Sequence, residues 1–480
     1  MASRVYAAAL AVLLALTACT GGTPSSVADD PGQARYGAAP VRHPDVALQP
    51  DVVVVDGGSG SVRSVTDGGL TWRLDPRAGG ADQLTPGKVM FVTGRGVGRV
   101  MDARPDGDDL AVTIGPVGIT DVIRDGTFAA EQPIQLSTAT AHEITDPFWA
   151  NPDAAPTVGP TARNTGLTGV GSARPVLAAD TSAPVADVAL RAGGLIPHGV
   201  CCSDGVGVRF SYDGDGLRLT GAVTFVMRQP SAKFHLVISG ASVQRAELEI
   251  HGAAGLRVQV DAATMTGSNV HPTVFVPVDW SVSMGQVLGI PLAATVRQAI
   301  GIRTGFSAGH SIIKAAGEFP LGGTIGFGYA NGRFGPRWVG EQQGNDSLVD
   351  SVEGVSVGAN AIIIDYDAKF YVGIGAAGFT AGLYAGLSVS IGITRGSSVG
   401  FGGLGGLANG EGCRRVDVTI NGTYGIGYTI PALVAKVINV FLRIFNAKPI
   451  ETSGGIPKPP PTVNLVNHHM TKPTNAVCKS

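Results

Sequence analysis

Glu247-Leu-Glu-Ile-His251 and Leu256-Arg-Val-Gln-Val-Asp261 decide the fold, because apolar and polar residues alternate strictly in both stretches. Side chains on a β-strand point alternately to the two faces of its sheet, so this pattern places one face on a core and the other in water. Residues 217–220 and 234–238 continue the alternation less strictly. The pattern predicts an antiparallel meander that is solvated on one face.

Composition extends this prediction to most of the chain. The 480 residues include 70 glycines and 30 prolines, and Val, Ile and Thr are abundant, as in proteins built from short strands and turns. The length leaves room for more than one domain. We therefore expect a mainly β protein, in which a small N-terminal β module precedes a larger antiparallel sandwich or curved sheet.

The alternation changes between about residue 352 and residue 407. Phe370-Tyr-Val-Gly-Ile374 and the stretch from Leu383 to Ile391 have small or apolar residues on both faces. Strands of this kind are covered on both sides, so we expect them inside the protein, in a tight stack or against lipid.

One amphipathic helix is predicted over residues 430–446, near the C-terminal end of the large domain. Lys436, Asn439 and Arg443 lie on one stripe, and apolar residues fill the other side. We expect the helix to pack on the protein's own sheet and to close it. Contact with a membrane surface or a bound lipid is the alternative.

Segments with few large apolar residues divide the chain. Such segments cannot bury enough surface to offset the entropy of ordering, and they mark linkers and tails. The predicted divisions are a signal peptide (1–18), a tether (19–50), a small β domain (51–133), a linker or long loop (134–194), a large β-rich domain (195–452) and a Pro-rich tail (453–480).

The N-terminus predicts where the protein is located. Arg4 precedes an apolar run that is too short to cross a bilayer, and the run ends in Leu16-Thr17-Ala18-Cys19. This end resembles the lipobox of bacterial lipoproteins. The resemblance implies that Cys19 becomes a diacylglyceryl-modified N-terminus, which acyl chains such as palmitate hold on the envelope membrane. An ordinary signal peptide that leaves Cys19 as a stray thiol is the alternative.

The other cysteines form an even set: Cys201, Cys202, Cys413 and Cys478. In an oxidising compartment an even set predicts two disulfides. A bridge between the adjacent Cys201 and Cys202 is strained, so we expect each of them to reach Cys413 or Cys478. The alternative is a metal site that includes three histidines, His198, His468 and His469.

Gly305-Phe-Ser307-Ala-Gly309 resembles the nucleophile elbow of α/β-hydrolases. The resemblance implies that Ser307 is the nucleophile and that His468, further along the chain, is its base. Residues 354–358 and 396–400 have the same form, however, and the alternating strand and helix units of that fold are missing. The glycine content of the chain therefore explains the match better than catalysis does.

Gly373-Ile-Gly375-Ala-Ala-Gly378 matches the dinucleotide fingerprint, which needs a helix next and an acidic residue about 20 positions on. The following residues form a poor helix, and the next acidic residue is Glu411. A glycine-rich strand pair is therefore predicted, without a bound nucleotide.

Asp67-Gly-Gly-Leu-Thr-Trp72 resembles the Asp-box of sialidases, whose residues tie a hairpin together. The chain has a single copy, whereas a propeller needs one in many blades, so we expect a structural hairpin. Leu84 to Lys88, the strand after it and residues 119–126 resemble a module of secreted bacterial proteins of unknown function, which implies no activity.

Asp365 and Asp367 flank Tyr366, which places both carboxylates on one face if the segment is a strand. Two carboxylates about 6 to 7 Å apart can bind a cation or do acid–base chemistry. A hairpin turn at this point is the simpler interpretation.

Charge and location limit the function. The net charge is −2 and charged residues make up 15% of the chain, so no basic excess exists to neutralise nucleic-acid phosphates. No cofactor is expected. The sequence predicts an envelope-anchored lipoprotein that displays a non-catalytic β-rich binding or structural domain to an unknown envelope or extracellular ligand. Its alternatives are a carrier of lipid or another hydrophobic ligand, and an envelope serine hydrolase using Ser307.

Overall fold

The computed structural model describes residues 31–66, 70–143, 176–177, 195–201, 204–267, 269–270, 273–275, 278–339, 347–355, 359–375, 380–396, 412–429, 453–456 and 461–474. The chain is mainly β there, with a small N-terminal sheet and a larger antiparallel sandwich, which confirms the predicted fold class. The predicted signal peptide, Cys19 and the predicted helix of residues 430–446 lie outside the described residues. No helix among the described residues is long and apolar enough to cross a membrane.

The N-terminal module is a six-stranded sheet in the order β2-β5-β6-β7-β4-β3. Its first pair is parallel and its other pairs are antiparallel. A two-residue turn, Gly107-Asp108, joins β6 to β7, and Gly107 has the positive φ of 64° that such turns favour. The elements of this region are α1 (Pro31–Tyr36), β1 (Ala47–Leu48), β2 (Val52–Val54), β3 (Val62–Thr66), β4 (Thr71–Leu74), β5 (Val89–Phe91), β6 (Val97–Asp106), β7 (Asp109–Gly115) and α2 (Ile119–Val122).

Two large sheets follow, and all of their paired strands are antiparallel. Their strands, with one short helix, are β8 (Ile123–Pro133), β9 (Thr140–Glu143), β10 (Val176–Leu177), β11 (Leu195–Cys201), β12 (Gly205–Gly214), β13 (Leu217–Ser239), β14 (Ser242–Thr264), β15 (Thr273–Phe275), β16 (Val278–Val287), β17 (Ile290–Phe306), β18 (Ser311–Ala330), β19 (Arg333–Val339), α3 (Ser347–Asp350), β20 (Glu353–Val355), β21 (Asn360–Ile374), β22 (Thr380–Arg395), β23 (Arg414–Thr429), β24 (Ser453–Ile456) and β25 (Thr462–Lys472).

The first sheet contains nine strands and has the path β1-β8-β13-β14-β18-β19, with β11, β12 and β20 beside it. The second contains ten strands and has the path β10-β9-β16-β17-β21-β22-β23-β24, with β15 and β25 beside it. Aromatic contacts join the two sheets across one apolar core, for example Phe225 with Phe370 and Phe327 with Tyr424. The two sheets therefore form a sandwich, as the alternation in β14 predicts.

Several boundaries differ from the predicted ones, because the sheets take strands from segments predicted to be linkers. β8, expected to belong to the small domain, pairs with β13 of the first sheet. β9 lies in the predicted linker and pairs with β16, while β25 lies in the predicted Pro-rich tail and pairs with β23. Strand pairing satisfies the backbone N–H and C=O groups that an open sheet edge would expose. Composition alone does not show which segments pair in this way.

Residues 31–50, predicted to belong to the flexible tether, pack on the protein instead. Tyr36 in α1 is buried, and its ring lies 5.9 Å from the ring of Trp72. Burial of Tyr36, pairing of β1 with β8 and hydrogen bonds such as Gly94 N–H to the Ala38 carbonyl, at 2.9 Å, hold a segment whose average composition resembles that of a linker.

Candidate functional site

A groove of about 410 Å³ opens where residues 40–49, β2 and the start of β17 meet. Its size falls in the range of about 300 to 1,000 Å³ that small-molecule sites occupy. Much of its lining is aliphatic: Val41, Val46, Leu48, Val52, Val54 and Ile290. These side chains come from three separate elements, so the groove exists only in the folded protein.

Hydrogen bonds hold residues 40–49 in place as one wall of the groove. The Val41 N–H donates to the Gly289 carbonyl at 2.8 Å, and the side-chain amide of Gln49 donates to the Thr120 carbonyl at 2.8 Å. Gly289 has φ +78°, and a β-carbon there would lie 1.9 Å from the Val41 carbonyl oxygen. Glycine is therefore required where the β16–β17 turn meets this wall.

The rim of the groove is polar. Arg42 is exposed and makes no hydrogen bond or ion pair with the residues that the structure describes. His43 accepts a hydrogen bond from the Asp45 N–H, and its Nδ1 lies 3.7 Å from the Asp45 carboxylate. This arrangement can bind an apolar ligand that has a polar or negatively charged end.

The structure does not bring Ser307 and His468 together. Ser307 lies in an exposed bend after β17, and the His468 ring in β25 lies 5.8 Å from the ring of Phe319. The sheet order β17-β21-β22-β23-β25 separates the two residues by four strand spacings, or roughly 19 Å. A nucleophile and its base must lie within hydrogen-bond distance, so this pair is not a catalytic pair.

The paired carboxylates lie on a strand, so the turn interpretation of Asp365 and Asp367 is wrong. Both residues belong to β21, and Asp365 receives two hydrogen bonds of 3.1 Å from Arg303. The Ser390 hydroxyl also donates to Asp365, at 2.7 Å. The carboxylate is therefore already neutralised, and no group of three His, Cys, Asp or Glu among the described residues could hold a metal ion.

The two glycine motifs that resembled binding sites are parts of β-structure. Gly373 belongs to β21 and pairs with Gly382 of β22, so a strand follows the motif and the predicted strand pair is confirmed. Near the Asp-box, β3 and β4 pair antiparallel, which confirms the structural hairpin. Asp67 itself lies outside the described residues.

Cys201 and Cys413 are each disulfide-bonded, whereas Cys202 and Cys478 lie outside the described residues. Cys201 ends β11 of the first sheet, and Cys413 directly precedes β23 of the second sheet. That both are bonded agrees with the expected disulfides, and which cysteine each of them bonds stays a prediction.

The histidines of the alternative metal site are also separated. His198 lies in β11 of the first sheet, where it is paired with Arg209 in the strand register. His468 and His469 lie in β25 of the second sheet, and His469 Nδ1 contacts the Asp417 carboxylate. The described residues therefore do not assemble the three histidines at one place.

Sequence reasoning missed the groove, because it lies in the predicted tether and at the start of the small domain. A signal was present, since Val46 and Leu48 alternate with polar or small neighbours, and Val52 and Val54 belong to an apolar run of four valines. The close approach of Gly289 to Val41 joins residues far apart in the chain, and no local pattern indicates it.

The fold and the groove define the class of this protein, a two-sheet β-sandwich with a small N-terminal β module and a groove beside that module. Residues 174–458 match the family described as Domain of unknown function (DUF8402), which is more than half of the chain. The protein belongs to that family. Residues 32–125 are similar to the Domain of unknown function (DUF8403). The comparisons with curated proteins and with solved structures found no match.

Proposed function

We propose that the chain is a cell-envelope lipoprotein, anchored through acyl chains on Cys19, whose β-rich body is a non-catalytic binding domain. The observation that carries the binding role is the groove beside the N-terminal module, with its aliphatic walls and, at its rim, Arg42, which is unpaired among the described residues. Its partners are the membrane, through the anchor, and a small envelope or extracellular ligand.

The distance from the anchor supports a location close to the membrane. Cys19 precedes Pro31, the first described residue, by 12 positions, and 12 extended residues span at most about 40 Å. The groove is built partly from residues 40–54, soon after this segment. An anchored protein would therefore hold the groove near the lipid surface.

The two alternatives receive less support. Two cavities that lie between the large sheets have volumes of only about 20 Å³ each, which suits a water molecule rather than a lipid. Of these cavities, all lined by described residues, only the groove is large enough for a carrier's ligand. The hydrolase alternative lacks its catalytic pair, because Ser307 and His468 are four strands apart.

The experiment that tests the anchor compares Cys19→Ala with the matched control Thr20→Ala in the native host, after metabolic labelling with an alkyne analogue of palmitate. We expect the parent and Thr20→Ala to incorporate the label and to partition into the detergent phase of Triton X-114. Cys19→Ala should lose both properties. Label retained by Cys19→Ala would contradict the proposed anchor.

A further inference from the structure

We infer that the groove binds a single-chain anionic amphiphile, an aliphatic chain that ends in one carboxylate or phosphate. The inference rests on the binding role proposed above and names the class of ligand. It depends on the shape and lining of the groove, on the charge of its rim and on its place in the chain.

The walls account for the aliphatic chain. Val41 is 56% exposed, an unusually large fraction for an apolar side chain that lines a concave surface, and the other aliphatic side chains of the lining are partly or fully buried. Covering Val41 and its partly exposed neighbours removes apolar area from water, which favours binding. Aliphatic walls without a Phe, Tyr or Trp ring suit a flexible chain better than a flat ring system.

The rim accounts for the anionic end. Arg42 has no partner among the residues that the structure describes, and the nearby Asp45, whose carboxylate is largely exposed to solvent, does not line the groove. A guanidinium presents its donors as a planar fork, which pairs with a carboxylate or a phosphate through two parallel hydrogen bonds. The rim therefore selects an anion over a neutral or cationic head group.

The position of the groove indicates where such a ligand comes from. Its wall begins nine residues after Pro31, and the proposed anchor site precedes Pro31 by only 12 residues. Amphiphiles with one chain and one charge are components of the surface to which that anchor would attach. The groove could therefore receive a ligand from the membrane without the protein leaving it.

The test uses the full chain, purified from native membranes and placed in phosphatidylcholine nanodiscs. A palmitate analogue carrying a diazirine and an alkyne is photolysed with the protein, and the cross-linked peptides are identified by mass spectrometry. We expect cross-links in residues 40–54 and at the start of β17. Unlabelled palmitate should displace the probe about tenfold better than hexadecylamine, which has the same chain and the opposite charge.

Two arginine variants distinguish recognition of the ligand's charge from nonspecific hydrophobic binding. Arg42→Gln should weaken displacement by palmitate about five- to tenfold and leave hexadecylamine within twofold of its parent value. Arg77→Gln is the matched control, because Arg77 is an exposed arginine of the N-terminal module outside the groove, and it should behave like the parent.

Two results would overturn the inference. Cross-links spread over the surface, or confined to residues outside the groove, would show that the groove does not take the chain. Equal displacement by palmitate and hexadecylamine in the parent would show that Arg42 does not select the head group. The anchor is tested separately by Cys19→Ala, so a failed anchor with groove labelling intact would refute the proposed location alone.

Discussion

The two large sheets differ on their outer faces, which point away from the shared core. On the first sheet this outer face carries exposed charged pairs, such as Arg257 with Asp204 at 2.5 Å and Lys314 with Asp261 at 2.6 Å. On the second sheet part of the outer face is buried, and it carries Arg297, Tyr371 and Tyr384. One sheet is thus solvated on one side, whereas part of the other is covered on both sides.

The buried part of the second sheet has its own polar contacts. Arg297 is only 8% exposed, and its guanidinium carbon lies 5.8 Å from the centre of the Tyr371 ring. The rings of Tyr371 and Tyr384, which face each other across β21 and β22, lie 5.8 Å apart. The polarity of a residue therefore does not by itself show which face of a sheet is in water.

The largest expected effect comes from truncating an aromatic residue on the buried outer face. Tyr384→Ala should lower the free energy of unfolding by roughly 3 to 5 kcal/mol, because it leaves a cavity beside Tyr371. The matched change on the charged face, Arg257→Ala, should cost less than about 1 kcal/mol, since exposed ion pairs contribute little. Urea unfolding of both variants measures the contrast, and equal losses would contradict it.

How far the sequence predicts these faces depends on the strand. In β14 the alternation assigns each face correctly, because charged residues such as Arg257 cannot enter an apolar core without a partner. In β22 the small and apolar residues from 383 to 387 correctly predict that both faces of the strand are covered, and the structure shows these residues buried. The burial of Arg297 could not be predicted, since it depends on a ring that comes from a strand 74 residues later in the chain.

The candidate site was harder to predict than the fold. The motifs around Ser307 and Gly373, which resemble catalytic and nucleotide-binding motifs, are short glycine patterns that any glycine-rich β protein produces. The groove depends on long-range contacts such as Val41 with Gly289, which only the folded chain creates. Local patterns report periodicity well, but they do not report which distant segments meet.

The next largest effect on stability is expected from removing a disulfide bond. Arg414, next to Cys413, pairs with Lys472 of β25, six residues before Cys478, so we predict a bond between Cys413 and Cys478. Within the set of four, this assignment leaves the adjacent Cys202 as the partner of Cys201, in spite of the strain expected of that bridge. Removing the Cys413 bond by a double serine variant should cost about 2 to 4 kcal/mol. Proteolysis without reduction, followed by mass spectrometry, identifies the linked peptides. A peptide that links Cys201 to Cys413 would refute this assignment.

A smaller effect is expected at alkaline pH, and the buried outer face of the second sheet contributes to it through Tyr384. Burial, with a further contribution from Tyr371, raises the pKa of Tyr384 to about 12 from its ordinary value of 10.0. The folded state therefore holds this proton more firmly than the unfolded state does. Its contribution to stability is complete below pH 10 and is lost as the pH rises towards 12.

Urea unfolding between pH 9 and pH 12 tests this pH dependence. Tyr384→Phe should make the fall in stability above pH 10 shallower, because the phenol that titrates is gone. Tyr329→Phe is the control, since Tyr329 lies on β18 of the first sheet, and it should leave the fall unchanged. The same slope in Tyr384→Phe and the parent would show that Tyr384 does not cause it.

The smallest effect on stability is expected where apolar residues interrupt the charged face of the first sheet. Met265, Ile312 and Val355 are exposed there, and Ile312 pairs directly with Val355 of β20 and with Ala263 of β14. Replacing all three with serine should change the free energy of unfolding by less than about 1.5 kcal/mol, since surface substitutions usually cost up to 0.5 kcal/mol each.

The same triple variant should differ from the parent in association. An exposed apolar patch on an otherwise charged face favours contact with another apolar surface, so sedimentation velocity should show less concentration-dependent association after the change. Replacing Lys314, Arg218 and Gln259 with serine is the matched control, because it alters the same face without reducing its apolar area. If the control reduces association as strongly as the apolar variant, charge rather than the apolar patch governs contact at this face.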